Sequence, residues 1–195
     1  MFHLYNIIIQ ISAFFLRPIA LFHPKIKLFM DGRKDVLRLL ESKLPKEDRV
    51  LWVHTASLGE FEQGLPIIER LRNGYPSYKI VVTFFSPSGY EVKKNSRAAD
   101  LITYLPLDTR KNAQKFIALI NPKLAIFVKY EIWPNYMKVL AQNKIPVILI
   151  SALFKKEQIY FKIYGGFMRK ALAAFSHIFV QNSGSVELLQ QIGIT

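Results

Sequence analysis

Apolar runs alternate with amphipathic ones along most of this chain. Short stretches rich in Val and Ile, without polar alternation, predict strands at residues 50–54, 79–84, 101–105, 124–129, 146–150 and 178–181. Between them a 3.6-residue periodicity predicts helices near 60–73, 88–95, 110–120, 134–143, 158–174 and 183–190. In the first of these, Phe61, Leu65, Ile68 and Leu71 share one face. Strands that are apolar on both sides and separated by helices predict an α/β domain, a Rossmann-like doubly wound parallel sheet. Gly165-Gly166 falls inside an otherwise helical run and marks a break or kink.

The first 24 residues read differently. From Leu4 to Phe22 the chain is almost uninterrupted apolar sequence, broken by Asn6, Gln10, Ser12, Arg17 and Pro18. That length is at the edge of what a bilayer crossing needs, so the segment predicts an uncleaved membrane-anchor helix, either a short tilted span or a helix in the interface. A buried first helix of a soluble domain is the alternative. Residues 18–24 offer only a poor small-residue cleavage site. Lys25, Lys27, Arg33, Lys34 and Arg38 follow closely and, by the positive-inside rule, keep the downstream chain in the cytoplasm. Residues 31–44 look like a linking helix, ended by Pro45 and the charged run Lys46-Glu47-Asp48-Arg49. The expected organisation is an anchor at 1–24, a linking helix at 25–48 and a Rossmann-like domain at 49–195.

An excess of 13 basic over acidic residues favours polyanionic partners, among them acidic headgroups, phosphorylated glycolipid and nucleic acid. With no Cys and with His3, His23, His54 and His177 scattered, nothing in the sequence suggests a metal site. Residues 154–170 interleave five basic residues with five aromatics, a pattern suited to an anionic membrane surface or to an amphipathic helix on the sheet. The aromatics follow helical spacing rather than that of a stacking platform, which argues against nucleic acid.

Chemistry is expected where strands end and helices begin. Ser57, Gly59 and Glu60 follow the strand ending at His54, and small residues there let a substrate approach the backbone. Glu60 also suits a helix N-terminus on dipole grounds alone. Glu131 follows the strand 124–129 and faces the same predicted crevice; the alternative is a first-turn acid before Pro134, a good N1 proline. Ser86 and Ser88, in Phe84-Phe85-Ser86-Pro87-Ser88-Gly89, and Ser151 after the fifth strand are further crevice-side candidates for sugar or phosphate oxygens.

His54-Thr-Ala-Ser-Leu-Gly-Glu60 together with Tyr130-Glu-Ile-Trp-Pro-Asn135 resembles the Kdo transferases, which add 3-deoxy-D-manno-octulosonic acid (Kdo) to the lipid A precursor. The resemblance covers the chain from its apolar start to its last residue. It implies the N-terminal, acceptor-binding half of a GT-B glycosyltransferase, with a nucleotide-binding second half absent after Thr195. It implies CMP-Kdo as donor substrate, no further cofactor, the lipid A precursor as acceptor, and an inner-membrane enzyme facing the cytoplasm. It makes Glu60 the general base of an inverting transfer and Glu131 a support for the transition state, with His54, Ser57 and Gly59 at the substrate; the alternative for His54 is a strand-end residue with a structural hydrogen bond. Where many relatives carry a further Glu, two residues before Glu131, this chain has Lys129. Either that acid is dispensable here or Lys129 binds an acceptor phosphate or the donor carboxylate. The rival readings are another GT-B enzyme acting on a lipid-linked sugar and a non-catalytic basic module that binds membranes or polyanions.

Overall fold

A computed structural model describes residues 1–45 and 47–194. Lys46, in the charged run before the domain, and Thr195 lie outside the described residues. Three helices come first: α1 (Phe2–Ile19), α2 (Pro24–Asp31) and α3 (Val36–Lys43). Strands and helices then alternate as β1 (Arg49–Thr55), α4 (Leu58–Gly74), β2 (Tyr78–Phe84), α5 (Pro87–Lys93), β3 (Leu101–Tyr104) and α6 (Arg110–Ile120). They continue with β4 (Pro122–Val128), α7 (Pro134–Gln142), β5 (Val147–Ala152), α8 (Gly166–Leu172), β6 (His177–Val180) and α9 (Ser183–Gln191).

The six strands form one parallel sheet in the order β3-β2-β1-β4-β5-β6. This is the doubly wound arrangement expected, and its strand order reverses between β1 and β4. Alternate residues of each strand serve opposite faces. On one face Trp52, Val81, Ala125 and Phe127 pack beneath Phe116, Tyr136 and Leu140 of α6 and α7. On the other, Val53, Val82, Ile126 and Val128 meet Phe61 and Ile68 of α4. Burial on both faces is why the strands read as unbroken apolar runs.

Two helix expectations need correction. The linking helix is two helices, because the chain turns between α2 and α3 to send Arg33 inward. Its guanidinium donates to the carbonyls of Phe29, Phe85 and Leu105 at 2.5–2.9 Å and stacks on Phe29 with its carbon 3.7 Å from the ring centre. Arg33 is therefore a half-buried structural cation rather than one of a row of surface charges. The run 158–174 is also not one helix. Two 3₁₀ turns, Ile159–Phe161 and Ile163–Gly165, precede α8. The backbone passes so close at Gly165 that a Cβ would lie 1.7 Å from the Ile159 carbonyl oxygen, while Arg169 holds the Tyr160 and Lys162 carbonyls. The break thus falls where Gly165-Gly166 marks it.

Helix α1 buries no residue, and Phe14, Phe15 and Phe22 are exposed apolar side chains. Its first turns are nonetheless fastened to the domain. Tyr5 donates its hydroxyl hydrogen to Asp108 at 2.6 Å, and Asn135 Nδ2 donates to Asn6 Oδ1 at 2.9 Å. Asp108, buried before α6, also accepts the backbone N–H groups of Asn135 and Tyr136 at 3.1 Å and so caps α7 from outside its own sequence.

Candidate active site

The loops after β1 and β2 are laced together: Ser86 N–H donates to the Ala56 carbonyl at 2.7 Å and Phe85 N–H to that of Thr55 at 3.3 Å. Glu60 sits in the first turn of α4, whose N-cap is Ser57. The Glu60 Oε2 atom accepts the backbone N–H groups of Ala56 and, at 3.3 Å, Ser57. Those bonds satisfy amides that the helix leaves open and hold the carboxylate in one orientation. Among the described residues Oε1 accepts no hydrogen bond, and the residue keeps 9% of its surface exposed. Burial raises the pKa of Glu60, and the negative charge of Glu131 raises it further; the two amides and Lys129 pull the other way. The second carboxylate is therefore a near electrostatic neighbour of the first.

Glu131 lies beyond the end of β4 but outside the first turn of α7, which starts at Pro134 with Trp133 as N-cap. The first-turn explanation for this acid is thus replaced by a specific set of partners. Trp133 Nε1–H donates to Glu131 Oε2 at 3.0 Å, and His54 Nε2 lies 3.3 Å from the same oxygen. On its other side His54 Nδ1 is 2.8 Å from Thr83 Oγ1, which accepts the Trp52 Nε1–H at 2.8 Å. The tautomer follows from charge. A bare Nε2 lone pair facing a carboxylate would be repulsive, so the proton belongs on Nε2 and Thr83 donates to Nδ1. The chain Trp52, Thr83, His54, Glu131 then has a donor and an acceptor at every link. Its inner members are fully buried, whereas the Glu131 side chain keeps 14% of its surface exposed.

His54, expected at the substrate, has no exposed surface and instead backs Glu131. Ser57 and Gly59 flank Glu60 as expected, and a Cβ on Gly59 would meet nothing within 4 Å. Lys129 directly follows β4, and Ser151, expected after the fifth strand, is instead the next-to-last residue of the adjacent β5; both adopt positive φ, 64° and 54°. Such angles are costly without glycine and concentrate where backbone geometry matters. Lys129 makes no ion pair among the described residues, although its charge is felt at Glu60. Ser86 and Ser88 are bonded to each other at 2.8 Å, and the Ser86 N–H is already engaged by Ala56, which leaves Ser86 its hydroxyl to offer outward. Trp133 belongs to the second motif, but its bond to Glu131 appears only in three dimensions, as do Thr83 and Tyr160, the latter with its hydroxyl pushed up to about 12 by burial and by Glu131. The one available signal was a polar residue, Thr83, inside an otherwise apolar strand.

Residues 33–195 match the family described as 3-Deoxy-D-manno-octulosonic-acid transferase (kdotransferase). The chain belongs to the Kdo transferase family. It is 33% identical over 162 residues to the 3-deoxy-D-manno-octulosonic acid transferase of Aquifex aeolicus, covering 80% of this chain and 42% of that protein. To the Haemophilus influenzae enzyme of the same description it is 35% identical over 103 residues, covering 52% of this chain and 24% of that protein. To the Rickettsia bellii one it is 25% identical over 190 residues, covering 94% and 45%. The chain thus spans less than half the length of these curated relatives. A solved structure of a Listeria monocytogenes protein assigned as UDP-N-acetylglucosamine 2-epimerase superposes with TM-score 0.52 at 10% identity, over 76% of this chain and 43% of that one. That likeness concerns the fold alone. Family membership agrees with the resemblance carried by the two motifs around Glu60 and Glu131.

Proposed function

We propose that this chain is the acceptor-binding half of an inverting transferase that moves Kdo from CMP-Kdo to a lipid A precursor, with Glu60 as general base. The observation that carries the proposal is the placement of two carboxylates at neighbouring strand ends, flanking the point where strand order reverses. In this scheme an acceptor hydroxyl approaches over Gly59 and gives its proton to Glu60 Oε1. Its oxygen bonds to the anomeric carbon of Kdo as the bond from that carbon to the CMP phosphate oxygen breaks, and CMP departs with the electron pair. One displacement inverts the anomeric centre. Hydrogen bonds from Ala56 and Ser57 aim the base, and the upward shift of its pKa by burial and by Glu131 strengthens it as a proton acceptor.

In this scheme Glu131 stabilises positive character on the anomeric carbon, a role supported by His54 and Trp133, which hold its carboxylate in one orientation. Lys129, lacking an acid of its own, supplies a cation for the donor carboxylate or an acceptor phosphate. Ser57, Ser86, Ser88 and Ser151 offer hydroxyls around the rim. Most nucleotide contacts belong to a second, C-terminal half, so residues 1–195 alone would turn over little.

The proposed location is the inner membrane, with the domain on the cytoplasmic side. Helix α1 is long and apolar enough to cross a bilayer. However, Tyr5 and Asn6 at one end bond to the domain, and Arg17, Ala20 and Leu21 at the other line a cavity with Pro106 and Leu107 of that same domain. A helix about 27 Å long by its rise per residue cannot cross the bilayer with both ends on one side. These contacts at both ends favour an anchor lying in the plane of one leaflet over one that crosses. The test of the whole reading is donor choice by the full-length protein, offered radiolabelled CMP-Kdo or UDP-sugars with a defined lipid A precursor. Label should pass to lipid only from CMP-Kdo; transfer only from a UDP-sugar would overturn the proposal.

A further inference from the structure

We propose that the cavity between the end of α1 and the loop after β3 binds the phosphate of an anionic membrane phospholipid, whose acyl chains run along the exposed apolar side of α1. The cavity encloses about 690 Å³, within the size range of ligand pockets, and lies apart from the carboxylate crevice. Four cations contribute to its wall: Arg17 from the last turn of α1, Lys27 from α2, and Arg33 and Lys34 from the turn that follows. The single acid in the wall, Asp31, is taken up by Lys34 at 2.6 Å. Among the described residues Arg17, Lys27 and Arg33 have no carboxylate partner. Arg33 is the least replaceable of them, since three backbone carbonyls fix its guanidinium at the cavity wall and burial pushes its pKa down to about 9. Four cations and one paired acid leave the cavity wall with an excess of positive charge, which a bound phosphate would offset.

A soluble phosphate would satisfy the charge but not the surroundings. Leu21 and Met30 share the wall with the cations, Phe22, just past α1, is 88% exposed, and Ile11, Phe15 and Ile19 carry exposed apolar surface along α1 itself. A ligand that covers both is amphipathic, with an anionic head and apolar tails. The inference rests on the in-plane membrane reading of α1, which would bring the cavity mouth to headgroup depth. It also ties the membrane to the crevice, because the Arg33 that lines the cavity holds the Phe85 carbonyl, and the Phe85 ring packs 4.6 Å from Trp133.

The experiment is vesicle flotation of the full-length protein without acceptor, on phosphatidylglycerol and on phosphatidylcholine vesicles. Arg17→Ala with Lys27→Ala should weaken binding to phosphatidylglycerol at least tenfold, a figure in keeping with roughly 1 kcal/mol per basic residue at an anionic surface, and leave phosphatidylcholine binding unchanged. Arg70→Ala with Lys123→Ala removes the same charge at the far end of the domain and should change either by less than twofold. Ala20→Trp fills the cavity without altering charge and should also abolish the phosphatidylglycerol preference. If the two double variants fall equally, or if Ala20→Trp keeps the full preference, binding is diffuse charge attraction and the cavity proposal is overturned. Equal binding of the unaltered protein to both vesicle types overturns the cavity alone, whereas failure to float with either removes the membrane reading beneath it.

Discussion

Thr83→Val probes the buried chain that orients Glu131. The substitution keeps the shape of the side chain and deletes the hydroxyl that serves Trp52 Nε1–H and His54 Nδ1, each 2.8 Å away. Both partners have no exposed surface, so water cannot replace what is lost. Each orphaned polar atom costs about 1–3 kcal/mol, and relaxation brings the expected total to about 2–4 kcal/mol. With a urea dependence of about 2 kcal/mol per molar, the unfolding midpoint should fall by roughly 1–2 M. Tryptophan fluorescence is the natural assay, because the chain's two tryptophans, Trp52 and Trp133, are both in the network. Thr83→Ser, which restores the hydroxyl, should recover most of the loss. A Thr83→Val protein as stable as the unaltered one would refute the reasoning, since the hydroxyl would then not be completing those hydrogen bonds.

Other consequences follow for pH, for two glycines and for the anchor. Glu60 must be ionised to take a proton, and burial together with the Glu131 charge raises its pKa. The transfer rate should therefore fall on acidification above the ordinary carboxylate range, and Glu131→Gln, by removing the second cause, should shift that limb to lower pH; an unmoved limb contradicts the coupling. Gly59→Ala, in the first turn of α4, should raise stability by less than the roughly 0.5–1 kcal/mol of a helix interior, yet slow transfer, because its Cβ would enter the open space over which the proposed acceptor approaches. Gly89→Ala should instead lose about 1–3 kcal/mol on thermal unfolding, its Cβ falling 2.7 Å from Phe84 Cδ1 and 2.8 Å from the Leu58 nitrogen. Asp108→Asn removes the charge that accepts from Tyr5, Asn135 and Tyr136, and should speed amide hydrogen exchange across the first turns of α1; unchanged exchange would mean that the apolar contacts alone hold the helix.

The sheet was legible because parallel strands buried on both faces leave an unbroken apolar signature, and Pro134 announced the start of α7. Glu60 and Glu131 were legible as residues that follow strands, before any partner was known. Their surroundings were not. His54 reaches Thr83 across 29 residues and Glu131 across 77, and no periodicity records such pairings. The inward turn of Arg33 was hidden for a related reason: one Arg in a row of cations looks like its neighbours until Phe29, Phe85 and Leu105 are seen to enclose it. The positive φ angles of Lys129 and Ser151 were equally invisible, as neither residue type advertises that conformation. Gly165 showed the reverse case, where local sequence marked a break whose cause, a backbone pressed against Ile159, emerged only in space.

The claim that organises all of this is that the Glu60 carboxylate accepts the acceptor's proton. The direct measurement is the rate of Kdo transfer from CMP-Kdo to a lipid A precursor by the full-length protein carrying Glu60→Gln, read beside its thermal unfolding and donor affinity. Gln keeps an oxygen for the Ala56 and Ser57 amides, so fold and donor binding should persist while the rate drops by about 10²–10⁴, the usual contribution of a general base. A variant that transfers Kdo at close to the unaltered rate would contradict the account.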